Sequence, residues 1–182
     1  MDIITGIKER RSIRKFKDKK VDRELLKEIV EIARFSPSWA NYQIARYTFI
    51  DDQNTINKLA HDGVKNFVYN INTLKEARGV LVLSYVKGKS GKLEEYGVQS
   101  DSNSNIWEIF DAGIACQTFC LAAHAKGIGT VIMGVINDKA ISEIIDLPKE
   151  EGIAALIVYG YPEGEIPETP KRKVVEELTR FI

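Results

Sequence analysis

The chain has 182 residues, of which 44% are hydrophobic and 29% are charged, a composition typical of one globular domain rather than a disordered or fibrous chain. Its 26 basic residues are balanced by 26 acidic ones, so the net charge gives no indication of a nucleic-acid-binding or membrane-surface protein. The N-terminus lacks the apolar stretch of a signal peptide, and the longest uncharged apolar stretch, residues 112–123, is too short to span a bilayer. We therefore expect a cytoplasmic protein.

The first half of the chain shows clear start and stop signals for helices. Asp2 and Asp22 are suitable N-caps for apolar patterns of helical spacing, and Pro37 stops the second of these helices. In chain order, the predicted elements are a short helix before residue 10, a helix over 23–35, a strand over 47–50, a short helix over 55–60, a helix over 64–77 and a strand over 80–86. The strand over 80–86 is continuously apolar, which indicates a central strand covered on both faces.

The second half begins with a polar, glycine- and serine-rich excursion over residues 87–103, which we expect to be a loop. A long helix follows over 105–126, and because it is apolar on most faces we expect it to be buried. The remaining predicted elements are a strand over 130–133, a helix over 138–146, a strand over 154–159, a proline- and glycine-rich stretch over 161–170 and a final segment from 171. The pattern predicts a single domain over 1–182 of the α+β or α/β class.

The sequence Arg10-Arg11-Ser12-Ile13-Arg14, hereafter the arginine segment, combines three guanidinium groups and a hydroxyl. The planar donor fork of arginine matches phosphate oxygens two at a time, so this segment is suited to a phosphate or another compact anion. Because more lysines follow directly after it, a solvated basic surface is the alternative interpretation.

Three other stretches are candidates for binding. Residues 36–43, Ser-Pro-Ser-Trp-Ala-Asn-Tyr-Gln, place short polar side chains beside exposed backbone, which suits a planar polar ligand; an ordinary loop is the alternative. Residues 127–134 contain a Gly-x-Gly pattern, but the glycines follow a helix and precede a strand, the reverse of the order in dinucleotide-binding folds. Lys171-Arg172-Lys173 is a second possible phosphate site or a solvated terminus.

Cysteine and histidine give no indication of a metal site. Cys116 and Cys120 lie four residues apart within the apolar helix and are predicted to be small core residues. His61 and His124 stand alone, outside any pattern of zinc ligands.

Four stretches in register resemble the FMN-dependent nitroreductase family over nearly the whole chain. They are RRSIRKF at 10–16, SPSWANYQ at 36–43, DAGIACQTFCLAAHAKGIGT at 111–130, and the GYPEG turn with a basic KRK at 160–173. The resemblance implies an α+β fold with α/β/α layers, in which helices flank a central mixed, mainly antiparallel sheet. It also implies an intertwined homodimer with one FMN at each end of the interface. The helix over 105–126 would form the core of that dimer, although a central helix of a monomer has the same apolar pattern.

The resemblance further implies roles for individual residues. The arginine segment would hold the phosphate, ribityl chain and pyrimidine edge, and the basic tail would complete the phosphate site. Residues 37–41 would reach the flavin ring from the partner subunit, and residues 132–134 would line its other side. Asn70 is a weaker match to a ring contact. The cofactor-binding residues implied in this way are Arg10, Arg11, Ser12, Arg14, Pro37, Ser38, Trp39, Ala40, Asn41, Asn70, Ile132, Met133, Gly134, Lys171 and Arg172, with Lys173 as a further possible phosphate ligand.

The activity implied by the resemblance is hydride transfer from NADH or NADPH through FMN to a nitroaromatic, quinone or similar acceptor in a ping-pong cycle, without a dedicated catalytic residue. Dehalogenation, azoline dehydrogenation or flavin destruction on the same fold are alternatives, as are a non-catalytic FMN-binding module and a chain that has lost its cofactor. Trp39 stands where a small residue is more usual, and Gln43-Ile44-Ala45 where Gln-Pro-Trp is frequent, so the acceptor is harder to infer than the cofactor.

Overall fold

The computed structural model describes residues 2–93, 96–99 and 105–182. The helices are α1 (Ile3–Glu9), α2 (Arg23–Ala33), α3 (Gln53–Asp62), α4 (Val68–Glu76), α5 (Ile106–Ala125) and α6 (Asp138–Ile145). The strands are β1 (Ala45–Ile50), β2 (Val80–Val86), β3 (Lys92–Leu93), β4 (Val98–Gln99), β5 (Gly129–Met133) and β6 (Glu151–Gly160). Short 3-10 turns lie at Trp39–Asn41 and Val175–Glu177.

Four strands form the main sheet in the order β1-β2-β6-β5, and all three neighbouring pairs are antiparallel. The predicted central strand is confirmed, because β2 lies between β1 and β6 and six of its seven residues are buried. Among the described residues the only parallel contact with this sheet is the isolated bridge between Ser12 and Thr130. Within one chain the sheet is therefore antiparallel rather than mixed. The strands β3 and β4 form a separate hairpin.

Helices cover both faces of the sheet, which confirms the α/β/α layers and the α+β class. Successive residues of β2 point to opposite faces, as the strand period of two requires. Val80 and Val82 belong to the core cluster that contains Ile56 of α3 and Ile141 of α6. Leu81 and Leu83 belong to the second cluster, with residues of α2 and α5.

Several predicted boundaries shift. The helix expected over 64–77 begins only at Val68, because Lys65 and Asn66 have positive φ angles of 45° and 58° that no right-handed helix accommodates. The strand expected over 154–159 extends over Glu151–Gly160, since it pairs with β2 along nearly its whole length. The excursion over 87–103 contains β3 and β4, while its residues 94–95 and 100–103 lie outside the described part of the chain.

Helix α5 is only partly buried, in contrast to the expectation from its composition. Phe119 and Cys120 are fully buried, but Ile106, Ile109 and Phe110 are 45–56% exposed and continue into an open stripe at Gly113. By length and composition alone this helix could cross a bilayer, but half of its most apolar 18-residue window is buried against the rest of the domain, as in a core helix.

The two cysteines of α5 are core residues, as predicted. Cys116 and Cys120 are buried and unbridged. The neighbouring Cys120 thiol and burial both raise the pKa of Cys116. The Cys116 thiol is therefore uncharged near neutral pH, as expected for a packing residue rather than a nucleophile.

Candidate functional site

The arginine segment is anchored by its backbone to the start of β5. Helix α1 ends at Glu9, and the chain then continues in an extended conformation. The Ile13 amide donates to the Thr130 carbonyl at 2.9 Å, and Ser12 forms an isolated parallel β-bridge with Thr130. The contact is close, because a Cβ added to Gly129 would lie 2.8 Å from the Ile13 side chain. Because Gly129 has no side chain, the arginine segment can lie directly against the sheet.

The arginine side chains have no acidic partner among the residues that the structure describes. The Arg10 side chain forms no hydrogen bond or ion pair there, and Arg11 donates from Nη1 to the carbonyls of Lys8 at 2.6 Å and Arg10 at 2.8 Å. Arg14 donates to the Ser12 carbonyl at 3.3 Å. The carboxylates that the structure describes thus leave these positive charges unpaired.

A cavity of about 210 Å³ lies beside this segment, between Glu9–Arg11, His124 and Gly127–Thr130. Arg11 and His124 both line it, and among the described residues the buried atoms Arg11 Nε and His124 Nε2 have no hydrogen-bond partner. Burial, together with the positive charge of Arg10, lowers the pKa of His124. Unpaired buried polar groups are rare, so a ligand that accepts hydrogen bonds would supply the partners they lack. Beside the positive charge of the arginines, an anion such as a phosphate would be such a ligand. A second cavity of about 480 Å³ adjoins it, between residues 12–15 and the turn at 162–167.

Residues 36–43, hereafter the tryptophan loop, connect α2 to β1 in an unusual backbone conformation. Ala40, Asn41 and Gln43 have φ angles of 45°, 56° and 50°, in the left-handed region that glycine favours. The Ser38 hydroxyl accepts the Gln43 amide at 2.9 Å and closes the turn. Such strained backbone is concentrated at functional sites, so the conformation supports a binding role for this loop.

The tryptophan loop rests on α5. The Trp39 amide donates to both oxygens of the buried Asp111 carboxylate at 3.0 and 3.1 Å. The Trp39 indole lies 4.7 Å from that of Trp107, measured between ring centroids. The buried Nε1 of Trp39 has no hydrogen-bond partner within the described ranges. In the described residues, these contacts are with α5 and not with the arginine segment.

The third group of candidate residues lies where β5 ends. Asn70 of α4 donates from Nδ2 to the Val135 carbonyl at 3.5 Å, directly after Gly134. Met133 is buried, Ile132 is 45% exposed, and a Cβ at Gly134 would meet no atom within 4 Å. The structure therefore brings Asn70 and residues 132–134 together around an open backbone stretch, on the strand whose other end holds the arginine segment.

The basic tail is not joined to the other candidates. Lys171 and Arg172 are exposed and form no hydrogen bond or ion pair in the described part of the chain. Lys173 lies 4.0 Å from Glu177 in the same tail. Their assignment to the phosphate site stays a prediction.

The sequence analysis missed two residues near these groups, Asp111 and His124. Both lie within the quoted motif at 111–130, but neither was given a role. The available signal was a polar side chain on a mostly apolar helix, because burial of such a group is costly unless the protein or a ligand supplies a hydrogen-bond partner.

A family model of the nitroreductase family matches residues 7–161. The chain belongs to the nitroreductase family. It is 26% identical over 180 residues to an FMN reductase [NAD(P)H] of Bacillus subtilis, covering 93% of this chain and 70% of that protein. It is 23% identical over 184 residues to an iodotyrosine deiodinase of Thermotoga neapolitana, covering 96% of both. Its fold matches the crystal structure of a nitroreductase family protein of Streptococcus pneumoniae with a TM-score of 0.84 at 20% identity, covering 98% of this chain and 99% of that one.

Proposed function

We propose that this chain is an FMN-dependent oxidoreductase that takes electrons from NADH or NADPH and passes them to a nitroaromatic, quinone or similar acceptor in a ping-pong cycle. The observation that carries the proposal is the unneutralised arginine segment beside a cavity with two orphaned polar atoms, in a nitroreductase-family fold. Bound FMN would supply the hydride and electron transfer, which no side chain can perform alone.

The residues of the arginine segment would hold the anionic end of the cofactor. Arg10 is free to form a charge-assisted pair with a phosphate, and Arg11 Nε and His124 Nε2 are already desolvated and would gain a partner. Arg14, three residues beyond Arg11 on the same extended stretch, would present positive charge toward the flavin. Residues 132–134 and Asn70 would contact the planar ring through backbone and amide groups.

The rest of the site would come from a second copy of the chain. Helix α5 exposes an apolar stripe at Ile106, Ile109 and Phe110, and α1 exposes Ile3 to 75%. Contiguous apolar surface of this kind marks an interface. In such a homodimer the tryptophan loop of the partner would complete the flavin site, which agrees with its separation from the arginine segment within one chain.

The tail would make the dimer intertwined. Residues 163–182 are exposed along their whole length and include Leu178 at 68% and Phe181 at 95%. Strand β1 is an edge of the sheet, and a groove of about 530 Å³ lined by Leu26, Phe49 and other residues lies between it and α2. An extended segment of the partner could bind there by adding to the open edge, because unpaired strand edges readily accept another strand.

A second reaction on the same site is dehalogenation, favoured by the similarity to an iodotyrosine deiodinase over 96% of both chains. Trp39 and Trp107 offer aromatic surface for a planar ring of either substrate class. Azoline dehydrogenation, flavin destruction and a non-catalytic FMN-binding module are further alternatives. We propose a cytoplasmic location, where NADH and NADPH are available.

The experiment that tests the proposal is an anaerobic titration of the purified, flavin-loaded protein with NADH and NADPH. We expect the flavin absorbance to bleach and then to recover when menadione or nitrofurazone is added. Recovery with iodotyrosine but with neither of these acceptors would favour the deiodinase alternative. If neither NADH nor NADPH reduces the bound flavin, the result favours a non-catalytic FMN-binding module. A protein that does not bind added FMN would overturn the proposal.

A further inference from the structure

Two carboxylates are buried one turn apart near the start of α5. Asp111 is 4% exposed and Glu108 is 2% exposed. Asp111 accepts the Trp39 amide with both oxygens and the Ser90 hydroxyl at 2.6 Å. Glu108 accepts the backbone amides of Gly88 and Lys89, the latter at 3.2 Å. Neither carboxylate has an ion-pair partner in the described residues, so the hydrogen bonds alone compensate for their burial.

The two carboxylates hold different segments. Glu108 holds only the turn that follows β2, whereas Asp111 holds both this turn, through Ser90, and the tryptophan loop. Further contacts tighten the second connection. The Tyr42 hydroxyl donates to the Lys92 carbonyl at 3.1 Å, and Gly91 packs against Trp107, with only 3.1 Å between its Cβ position and the indole.

The tryptophan loop needs such support because its backbone is strained. A left-handed φ is unfavourable for a non-glycine residue and persists only where the surroundings hold it. Ala40, Asn41 and Gln43 all have such angles, and the hydrogen bonds to Asp111 fix the residue directly before them. Hydrogen bonds to a buried charge are stronger than neutral ones, so a carboxylate is suited to this task.

We infer that Asp111 is a positioning residue that holds the tryptophan loop in its strained conformation and is itself oriented by the Ser90 hydroxyl. Its consequence for the cofactor rests on the proposed function, in which this loop contacts FMN. Removing the Asp111 charge releases the loop and separates the Trp39 indole from Trp107, while the rest of the fold remains.

The test compares Asp111→Asn with Glu108→Gln, a matched control on the same helix with equal burial and the same change of charge. The chain has two tryptophans, Trp39 and Trp107, and both lie in this contact. Near-ultraviolet circular dichroism and tryptophan fluorescence of the protein without cofactor therefore report directly on it. We expect Asp111→Asn to lose most of the signal of the indole pair and Glu108→Gln to retain it.

The second measurement is FMN affinity. We expect Asp111→Asn to weaken FMN binding about tenfold, because a charged acceptor is replaced by a neutral one, and Glu108→Gln to change it less than twofold. Adding Ala40→Gly to Asp111→Asn should recover much of the affinity, since glycine adopts the φ of residue 40 without steric strain. General destabilisation of the fold would not be rescued in this way.

The outcomes separate the inference from the proposed function. Equal loss of the tryptophan signal in both variants, or an unchanged signal in Asp111→Asn, overturns the inference whether or not the protein binds FMN. If the wild type binds no FMN but the tryptophan signals differ as expected, the proposed function fails and the positioning role stands. Should Asp111→Asn not fold, Ser90→Ala removes one donor from the intact carboxylate and must shift the tryptophan signal in the same direction; no shift overturns the inference.

Discussion

The arginine segment and the tryptophan loop are held in opposite ways. The arginine segment is fixed by backbone hydrogen bonding to Thr130, which leaves its charged side chains without acidic partners. The tryptophan loop is fixed by the side chain of Asp111, 72 residues away in sequence, and its backbone is strained. The first arrangement leaves charged side chains open to a ligand, whereas the second fixes a backbone conformation, and only the second uses a distant side chain to do so.

The two regions also line separate cavities in one chain. The arginine segment borders the cavity of about 210 Å³ near His124, and the tryptophan loop borders one of about 240 Å³ that includes Ala33, Ile44 and Asp111. Under the proposed function, one arginine segment and the partner's tryptophan loop act on the same cofactor. The variants below test these different roles of the arginine segment and the tryptophan loop.

The largest effect is expected from Gly113→Leu, which should convert the proposed dimer to a monomer and abolish FMN binding. In one chain the Cβ at this position meets no atom within 4 Å, so the leucine fits a monomer. It also favours the helix, because mid-helix glycine costs about 1 kcal/mol relative to alanine. In a dimer packed through the exposed stripe of α5, the added side chain would force the subunits apart. Light scattering and FMN titration measure the two effects.

The control for this variant is Ala125→Leu, which adds bulk at an exposed position at the end of the same helix. We expect it to leave the dimer and FMN binding intact. A Gly113→Leu protein that remains a dimer would place the interface elsewhere, and a monomer that still binds FMN at full affinity would show that one chain carries both regions of the site.

Arg10→Ala should weaken FMN binding about 10- to 100-fold, because it removes a charge-assisted hydrogen bond from the phosphate. The FMN affinity of Arg10→Lys should lie between that of Arg10→Ala and that of the wild type, since lysine keeps the charge but loses the planar donor fork. Lys58→Ala, which removes an exposed charge from α3, serves as the control. Isothermal titration calorimetry measures the affinities, and an unchanged value for Arg10→Ala would move the phosphate site away from the arginine segment.

Ala40→Gly should leave the free energy of unfolding unchanged or raise it by up to about 1 kcal/mol, because relief of the left-handed strain offsets the greater flexibility of glycine in the unfolded chain. Ala140→Gly, on the right-handed helix α6, should instead lower it by up to about 1 kcal/mol. Chemical denaturation of the two variants provides the comparison. Equal destabilisation by both would mean that residue 40 is not strained.

The smallest effect concerns acid stability near the arginine segment. Burial lowers the pKa of His124 in the folded protein, so the unfolded chain binds a proton at a higher pH than the folded one does. Stability is therefore lost as the pH falls through about 6.5, the ordinary histidine value. His124→Gln should flatten this loss between pH 7.5 and 5.5 in thermal unfolding of the cofactor-free protein.

His61→Gln is the control for acid stability, because His61 is 86% exposed in its side chain and lies in another layer, beside Asp62. It should leave the difference between neutral and acidic pH as in the wild type. A slope that survives in His124→Gln would assign the acid sensitivity to other groups.

Much of the fold could be predicted because its signals are local. Asp2 and Asp22 cap their helices as expected, and the apolar run of β2 is central in the sheet. Element boundaries were less predictable where strand pairing or backbone strain decides them. Pairing with β2 extends β6 back to Glu151, and the positive φ angles of Lys65 and Asn66 move the start of α4 to a later residue. Periodicity does not report either effect.

The candidate site divides in the same way. The sequence by itself determined the arginine segment, because adjacent charges on a short extended stretch are local and need no partner to be recognised. Only the tertiary structure identified Asp111 as the support of the tryptophan loop and left one face of α5 open. The physical reason is that a buried carboxylate takes its role from the donors that folding brings to it, and an apolar helix takes its role from the surface that folding leaves uncovered.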